Sequence, residues 1–419
     1  MGHRHHHDPR VRVDGDPERG RHRRNPGSGV GGRQGQGRCP VLRARVRDDA
    51  IPGPVGAALL RRVLDVARRR GDDRVGLGLC RQVLGSGPPR RPNQGSVTVL
   101  VTGGTGVVGQ PVIRRLVASG REVRGLARSE KAASVLAGLG AAPSAGDIED
   151  PDSLARAMSG CEMVYDIAGL VSFCPADPAA LYRTNVEGTR NVVRAARRAG
   201  VRRLIHTSSV VALGERPGTV GDESTAHCGR YASHYSRSKH QGELVALAEA
   251  GDMEVVVVNP ASVQGAGRTT GTGDLLLQAV NGQLRFLVDT PISIVDTEDC
   301  AQGHIAAEQL GVAGRRYVLS GFTITLRQAW ELLGELTGRR YPVTFLPKPL
   351  LAPLGPVADL IGRRVRSVPI CRETVHLMRY GASYDGSRAA RELGLEYRSA
   401  RETFAGALDS FRKAGLTDV

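Results

Sequence analysis

The sequence predicts an α/β fold: a doubly wound parallel sheet followed by a smaller α+β domain. Three observations carry this. The apolar, β-branched run Thr98–Thr102 ends at a glycine-rich turn, and a helical pattern follows at once. Short apolar runs then alternate with amphipathic stretches to about residue 260. The first of these runs, Thr98–Thr102, is apolar and β-branched, as expected of a buried parallel strand.

The elements follow in order. Thr98–Thr102 is the first strand, and residues 110–119 form a helix with Val112, Leu116 and Val117 on one face. Glu122–Ala127 is the second strand. A third strand ends before Asp147-Ile148, and a fourth, residues 162–167, leads to Ala168-Gly169. A long helix then carries Asn185. The fifth strand, Arg203–Thr207, ends at Ser208-Ser209, and the sixth, residues 253–258, ends in Asn259-Pro260-Ala261-Ser262. From residue 263 the chain reads mainly as a second domain of short strands and helices. The boundaries are therefore 1–96 for an extension, 97–262 for a dinucleotide-binding domain and 263–419 for a largely substrate-binding domain.

The extension is set apart by charge. The whole chain carries a formal +16. Residues 1–96 hold 21 Arg, no Lys and 9 acids, or +12, which leaves +4 for the rest. A nearly neutral body gives no electrostatic footprint for nucleic acid. Residues 1–50, rich in Arg, Gly, His and Pro, cannot bury enough apolar surface to fold and read as disordered. His3, His5, His6 and His7 read as a tag-like tract. Residues 55–70 have the pattern of a basic amphipathic helix. Arg outnumbers Lys 54 to 4, the mark of a GC-rich coding sequence. A strand begins at Val97, so residues 1–96 are expected to be an upstream artefact of gene assignment.

Seven cysteines are present, with no CxxC pair and no zinc spacing. No metal and no disulfide framework are expected, which fits a reducing cytoplasm. No apolar run reaches the roughly 18 residues of a membrane span, and residues 349–361 are too short and proline-broken.

The turn Gly103-Gly104-Thr105-Gly106-Val107-Val108-Gly109 carries the first chemistry. Gly103 permits the tight turn, Gly106 lets the backbone approach a pyrophosphate, and Gly109 lets the helix pack on the strand. The helix N-terminus then offers free N–H groups to an anion. An acid at the end of the second strand would bind the ribose hydroxyl of NAD. Here the sequence reads Ala127-Arg128, so a guanidinium stands ready for a 2′-phosphate and NADP is expected, with NAD as the alternative. The competing reading makes Arg128 a solvated strand-end charge.

Tyr235 and Lys239 stand at i and i+4 on one helix face. A phenol is a poor acid or base at neutral pH, and a nearby ammonium favours its phenolate. With 9 Tyr and 4 Lys in the chain, chance would give about 0.1 such pairs.

This motif set, TGGTGxxG followed by the Ser-Ser strand end and YxxxK, resembles the extended short-chain dehydrogenase/reductases, from residue 97 to about 415. The stretches 181–191 and 206–214 resemble the dihydroflavonol 4-reductase-like branch, with its hopanoid-associated sugar epimerase group. The resemblance implies a Rossmann-type fold and a catalytic set of Ser209, Tyr235, Lys239 and Asn185. In it Ser209, rather than Ser208 or Thr207, holds the substrate oxygen. Lys239 also binds the nicotinamide ribose, and Asn185 has a structural and relay role. The implied cofactor contacts are Gly103, Thr105, Gly106, Val107, Val108, Gly109, Asp147 and Ile148 beside the adenine, then Ala168, Gly169, Thr207, Pro260 and Ser262. Many relatives carry His before an Ala-Ala pair, whereas this chain has Asp166-Ile167-Ala168-Gly169. Asp296 and Asp299 are expected to position a turn or to cap a helix. The loop 170–177, with Cys174, is expected to face the substrate. The family also implies a homodimer.

The first functional expectation is an NADP-dependent reductase or dehydrogenase acting on a carbonyl or alcohol. The second is a nucleotide-sugar epimerase or dehydratase that keeps NAD bound. A third, from another class, is a cofactor-binding sensor without turnover.

Overall fold

The structure is a computed structural model that describes residues 97–351, 358 and 371–418. The expectations for residues 1–96, and part of the apolar stretch 349–361, lie outside the described residues.

The chain enters on β1 (Thr98–Thr102), all five residues buried, and passes through the glycine turn into α1 (Gly109–Ala118). It continues through β2 (Glu122–Ala127), α2 (Glu130–Gly138), β3 (Ala142–Ala145), α3 (Pro151–Met158) and β4 (Met163–Asp166). Ser129 caps α2 and Asp150 caps α3, which also has Pro at its start; both devices are expected where a strand hands over to a helix. Next come α4 (Pro178–Tyr182), a π-helical turn (Arg183–Gly188) and α5 (Thr189–Arg198). The sequence reads as one long helix here. The wider turn is local, and such bulges gather at functional positions; Asn185 lies in it.

β5 (Arg203–Thr207), β6 (Val220–Gly221), α6 (His234–Ala248) and β7 (Glu254–Pro260) follow. Ser233 caps α6 with a reciprocal bond to Ser236. This fixes the first turn of the helix that carries Tyr235. The C-terminal part contains β8 (Ser262–Gln264), α7 (Thr272–Val280), β9 (Phe286–Val288), β10 (Pro291–Asp296), α8 (Thr297–Leu310), β11 (Arg316–Leu319), β12 (Phe322–Thr325) and α9 (Leu326–Thr337). It ends with β13 (Thr344–Leu346), α10 (Arg372–Tyr380), β14 (Ser383–Tyr384), α11 (Ser387–Leu393) and α12 (Ala400–Lys413).

The main sheet runs 3-2-1-4-5-7-11, and every pairing is parallel. The order reverses between β1 and β4, the crevice where α/β sheets bind ligands. Two apolar layers cover the sheet. One is built on Val99, Val101, Ile113, Tyr165 and Val256, the other on Leu100, Leu154, Val164, Val192 and Leu204. Adjacent residues of β1 thus point to opposite layers, as the pleat requires. α8 and β11 return to this sheet, while β8, β10 and β12 form a separate small one.

Seven free cysteines do not survive as an expectation. Cys174 and Cys371 are joined by a disulfide across a separation of 197 residues. The pairing is a product of the tertiary fold, which no local spacing announces. It also removes the cysteine-based argument for a reducing compartment. Among the described residues no helix is long and apolar enough to cross a membrane.

Candidate active site

The glycine turn is shaped by backbone contact. Gly103 has φ +64°, and a Cβ there would stand 2.7 Å from the Ala168 amide nitrogen. A Cβ on Gly109 would stand 2.3 Å from the Gly103 carbonyl oxygen. At Gly106 only the Gly103 oxygen, at 3.3 Å, would be near, so one side stays open. Thr105 and Gly106 are exposed, Val107 and Val108 pack half-buried on the core, and no side chain caps α1. A cradle that excludes Cβ atoms and leaves helix N–H groups uncapped fits a dinucleotide pyrophosphate.

Beside it, the C-terminal ends of three neighbouring strands share a buried polar ladder. Thr102 donates to Asp166 (2.9 Å), and Asp166 faces His206 Nδ1 (2.9 Å). The Thr102 hydroxyl oxygen also accepts from the Ile167 and Ala168 amides at 3.1 and 3.0 Å. Asp166 is therefore a structural pin for the Ala168-Gly169 turn, partnered across the register by Thr102 and His206. A Cβ on Gly169 would meet Asn185 Oδ1 at 3.3 Å and Lys239 Nζ at 3.6 Å. This turn thus touches the glycine loop on one side and the YxxxK helix on the other.

The structure brings Ser209 close enough to Tyr235 for its hydroxyl to favour the phenolate. Burial pushes the Tyr235 phenol above its usual range, while the Ser209 hydroxyl and the positive charge of Arg268 pull it back. The expected lowering by Lys239 is not the governing effect: desolvation of the phenol wins. Lys239 donates to the Thr207 carbonyl at 2.7 Å, and burial lowers its pKa to about 8 against the pull of Asp166 and Glu243. Thr207 turns its hydroxyl to His304 (3.0 Å), a histidine that burial holds neutral with a pKa of about 4. Asn185 accepts from the Leu170 amide (2.8 Å) and donates to the Leu170 carbonyl and Ser238 (both 2.9 Å). It braces the loop that enters the site.

The remaining expected residues are more scattered. Arg128 is exposed at the end of β2, with Nη1 3.9 Å from Asp147. Arg124 turns away to the Ser159 carbonyl at 2.6 Å. The Ile148 side chain is buried in the second apolar layer. Pro260 closes β7, and the Ser262 hydroxyl lies 3.0 Å from that of Thr272. Asp296 caps α8 through the Glu298 amide (2.8 Å), whereas Asp299 pairs with Arg398 and accepts its amide at 2.7 Å.

Four features escaped the sequence reading. Asn259 donates to the Ser209 carbonyl (3.1 Å) and to the buried Glu243 (2.9 Å), which pairs with Arg316 at 2.8 Å. Glu243 lies one helical turn beyond Lys239, so i, i+4 spacing could have found it. Arg268, in the β8–α7 loop, puts a positive charge that acts on Tyr235. Glu373 accepts from the Cys174 amide (3.0 Å) and the His234 amide (2.8 Å), tying loop 170–177 to the start of α6. Phe173, in that loop, sets its ring edge-on to Tyr235 with centroids 5.8 Å apart. Cys174 itself has φ 55°, the left-handed region that non-glycine residues seldom occupy.

Sheet order, glycine cradle and the Ser209–Tyr235–Lys239 group define a dinucleotide-dependent enzyme scaffold. The profile of the NAD dependent epimerase/dehydratase family matches residues 99–319, and the chain belongs to that family. It is an NAD(P)-dependent extended short-chain dehydrogenase/reductase. It is similar to sterol demethylase protein B of Methylococcus capsulatus, 34% identical over 327 residues, which cover 76% of this chain and 100% of that protein. It is also similar to a Synechocystis protein whose name places it with the dihydroflavonol 4-reductases, 34% identical over 75% of this chain and 94% of that one. The crystal structure of gox2253 superposes with a TM-score of 0.69 at 32% identity, covering 77% of this chain and all of that one (100%).

Proposed function

We propose that the protein is an NADP-dependent oxidoreductase in which a hydride passes between nicotinamide and the carbonyl or alcohol carbon of an apolar, ring-bearing small molecule. The observation that carries this reading is the junction at Ala168-Gly169: a Cβ on Gly103 of the glycine cradle would meet Ala168 N at 2.7 Å, and one on Gly169 would meet Lys239 Nζ at 3.6 Å, one helical turn from Tyr235. In reduction, Tyr235 gives its proton to the substrate oxygen that Ser209 holds; in oxidation it takes that proton back. Burial keeps the phenol protonated, which suits the reductive direction. Lys239, anchored on the Thr207 carbonyl, is assigned to the cofactor ribose. Residues 97–262 are read as the cofactor half and 263–419 mainly as the substrate half. Leu170, Val171 and Phe173 are exposed apolar side chains in the loop over Tyr235. They suit a ring system such as the sterol or dihydroflavonol named for the relatives.

Fluorescence titration of the full chain with NADPH and then NADH tests the reading. NADPH binding at least tenfold tighter supports it and the role of Arg128. Tighter NADH, or copurified NAD, overturns the NADP assignment. A second reading is a nucleotide-sugar epimerase or dehydratase with bound NAD; it is supported by an acid, Asp147, 3.9 Å from Arg128 at the outer end of the site.

A further inference from the structure

Among the described residues, three buried or half-buried arginines have acids. Arg121 pairs with Glu308 (2.7 Å), Arg203 with Glu254 (2.8 Å) and Arg316 with Glu243 (2.8 Å). Arg268 is different. Its side chain is half-buried, and its Nε, like those of Arg115 and Arg203, is sealed from solvent with no hydrogen-bond partner. Among the described residues the guanidinium enters no ion pair. Yet the loop is built around it. A Cβ on Gly271 would stand 2.9 Å from its Nη2, and one on Gly273 2.5 Å from its Cγ. Gly271 also holds φ +60°, so a side chain there would be strained as well as crowded.

An ionised group is seldom taken out of water unless an opposite charge or hydrogen bonds meet it. Five N–H donors in a planar fork match a carboxylate bidentately. The natural anion is not Tyr235, whose phenol burial keeps neutral. Nor is it the cofactor pyrophosphate, whose cradle is the glycine turn at α1. We propose that Arg268 binds a carboxylate of the substrate, beside the oxygen on which Tyr235 acts. The substrate class is then a hydroxy or oxo acid on an apolar ring body. Arg268 supplies the charge, and Leu170, Val171 and Phe173 supply the apolar wall.

This inference rests on the reading of the Tyr235 side as the substrate site, and the experiment separates the two. The full chain is first titrated with NADP⁺. It is then titrated, with and without saturating NADP⁺, with 2-naphthoate and its uncharged isostere 2-naphthamide, by calorimetry. Failure to bind dinucleotide overturns the functional reading, whereas the acid preference without dinucleotide still reports on Arg268. The expected result is naphthoate binding at least tenfold tighter than naphthamide. In Arg268→Gln that preference is lost, with NADP⁺ affinity within twofold. Arg268→Lys, which keeps charge without the fork, retains an intermediate preference and guards against misfolding of the glutamine variant. Equal binding of the two probes, no binding of the acid, or a preference that persists in Arg268→Gln overturns the proposal. A tenfold loss of NADP⁺ affinity in that variant does so too, by assigning Arg268 to the cofactor.

Discussion

The two walls of the site are made differently. The cofactor wall comes from contiguous sequence: β1, the turn Gly103 to Gly109, and α1, held by backbone contacts that forbid any Cβ. The proposed substrate wall comes from three segments far apart in the chain. Loop 170–177 meets α10 through the Cys174–Cys371 disulfide and Glu373, and the β8–α7 loop brings in Arg268. A contiguous motif works on any scaffold that supplies one strand and one helix, whereas the other wall exists only once the whole domain is folded. Tyr235 stands at the seam, so its loss is the sharpest test of where the walls meet. Tyr235→Phe is expected to lower kcat by roughly 10²–10⁴ and leave NADPH affinity within about twofold. Comparable losses in both, measured by steady-state rates and cofactor fluorescence, would break the division.

The next effect is confined to the second wall. The disulfide closes a long loop, and its removal by a dithiol or by Cys371→Ser is expected to cost about 2–4 kcal/mol of stability. Denaturant unfolding with and without dithiothreitol measures this. Substrate KM should rise while cofactor affinity holds. Identical unfolding midpoints, or weakened NADPH binding, would show that the tether does not belong to the substrate wall alone.

The contrast also explains what the sequence disclosed. The parallel sheet was legible because short strand-like runs alternate with helical stretches after the glycine turn, and β1, β2 and β5 fall at the expected residues. Gly103, Tyr235 and Lys239 were legible because their spacing is local. Arg268 was not, because an arginine in a glycine-rich loop looks solvated until the fold removes its water. The Cys174–Cys371 disulfide runs against the expectation of no disulfide framework, since only tertiary structure makes the two cysteines neighbours. Asp166 looked like a departure from the family pattern. It makes sense once His206 and Thr102 are seen on the flanking strands.

A further, pH-dependent effect lies on the seam. Burial lowers the Lys239 pKa from its usual 10.5 to about 8, with Asp166 and Glu243 resisting the shift. For reduction, kcat/KM is expected to fall about tenfold per unit above pH 8, as the ammonium is lost. Glu243→Gln should move this limb to lower pH. Unfolding is not the cause. Between about 8 and 10.5 the unfolded chain binds the proton that the folded lysine has released. This group therefore favours folding more strongly as pH rises through that window. A pH–rate profile run beside a pH series of Tm separates the two, and a Tm that falls in step with the rate would refute the assignment to Lys239.

The smallest expected effect tests the cofactor wall at its outer end. Arg128 is 74% exposed, and its guanidinium lies 3.9 Å from Asp147, so the ion pair itself contributes little to stability. Its value would appear only when a 2′-phosphate arrives, because a charged hydrogen bond is worth roughly 1.5–3 kcal/mol and exposure trims that figure. Arg128→Gln should therefore weaken NADPH about tenfold, leave NADH unchanged and leave Tm unmoved. Asp147→Asn should act in the opposite sense, strengthening NADPH by removing a like charge beside the phosphate. If both substitutions instead weaken NADH, the pair Arg128–Asp147 binds a ribose hydroxyl as a unit. The cofactor wall would then be built for NAD, although its glycines look the same in either case.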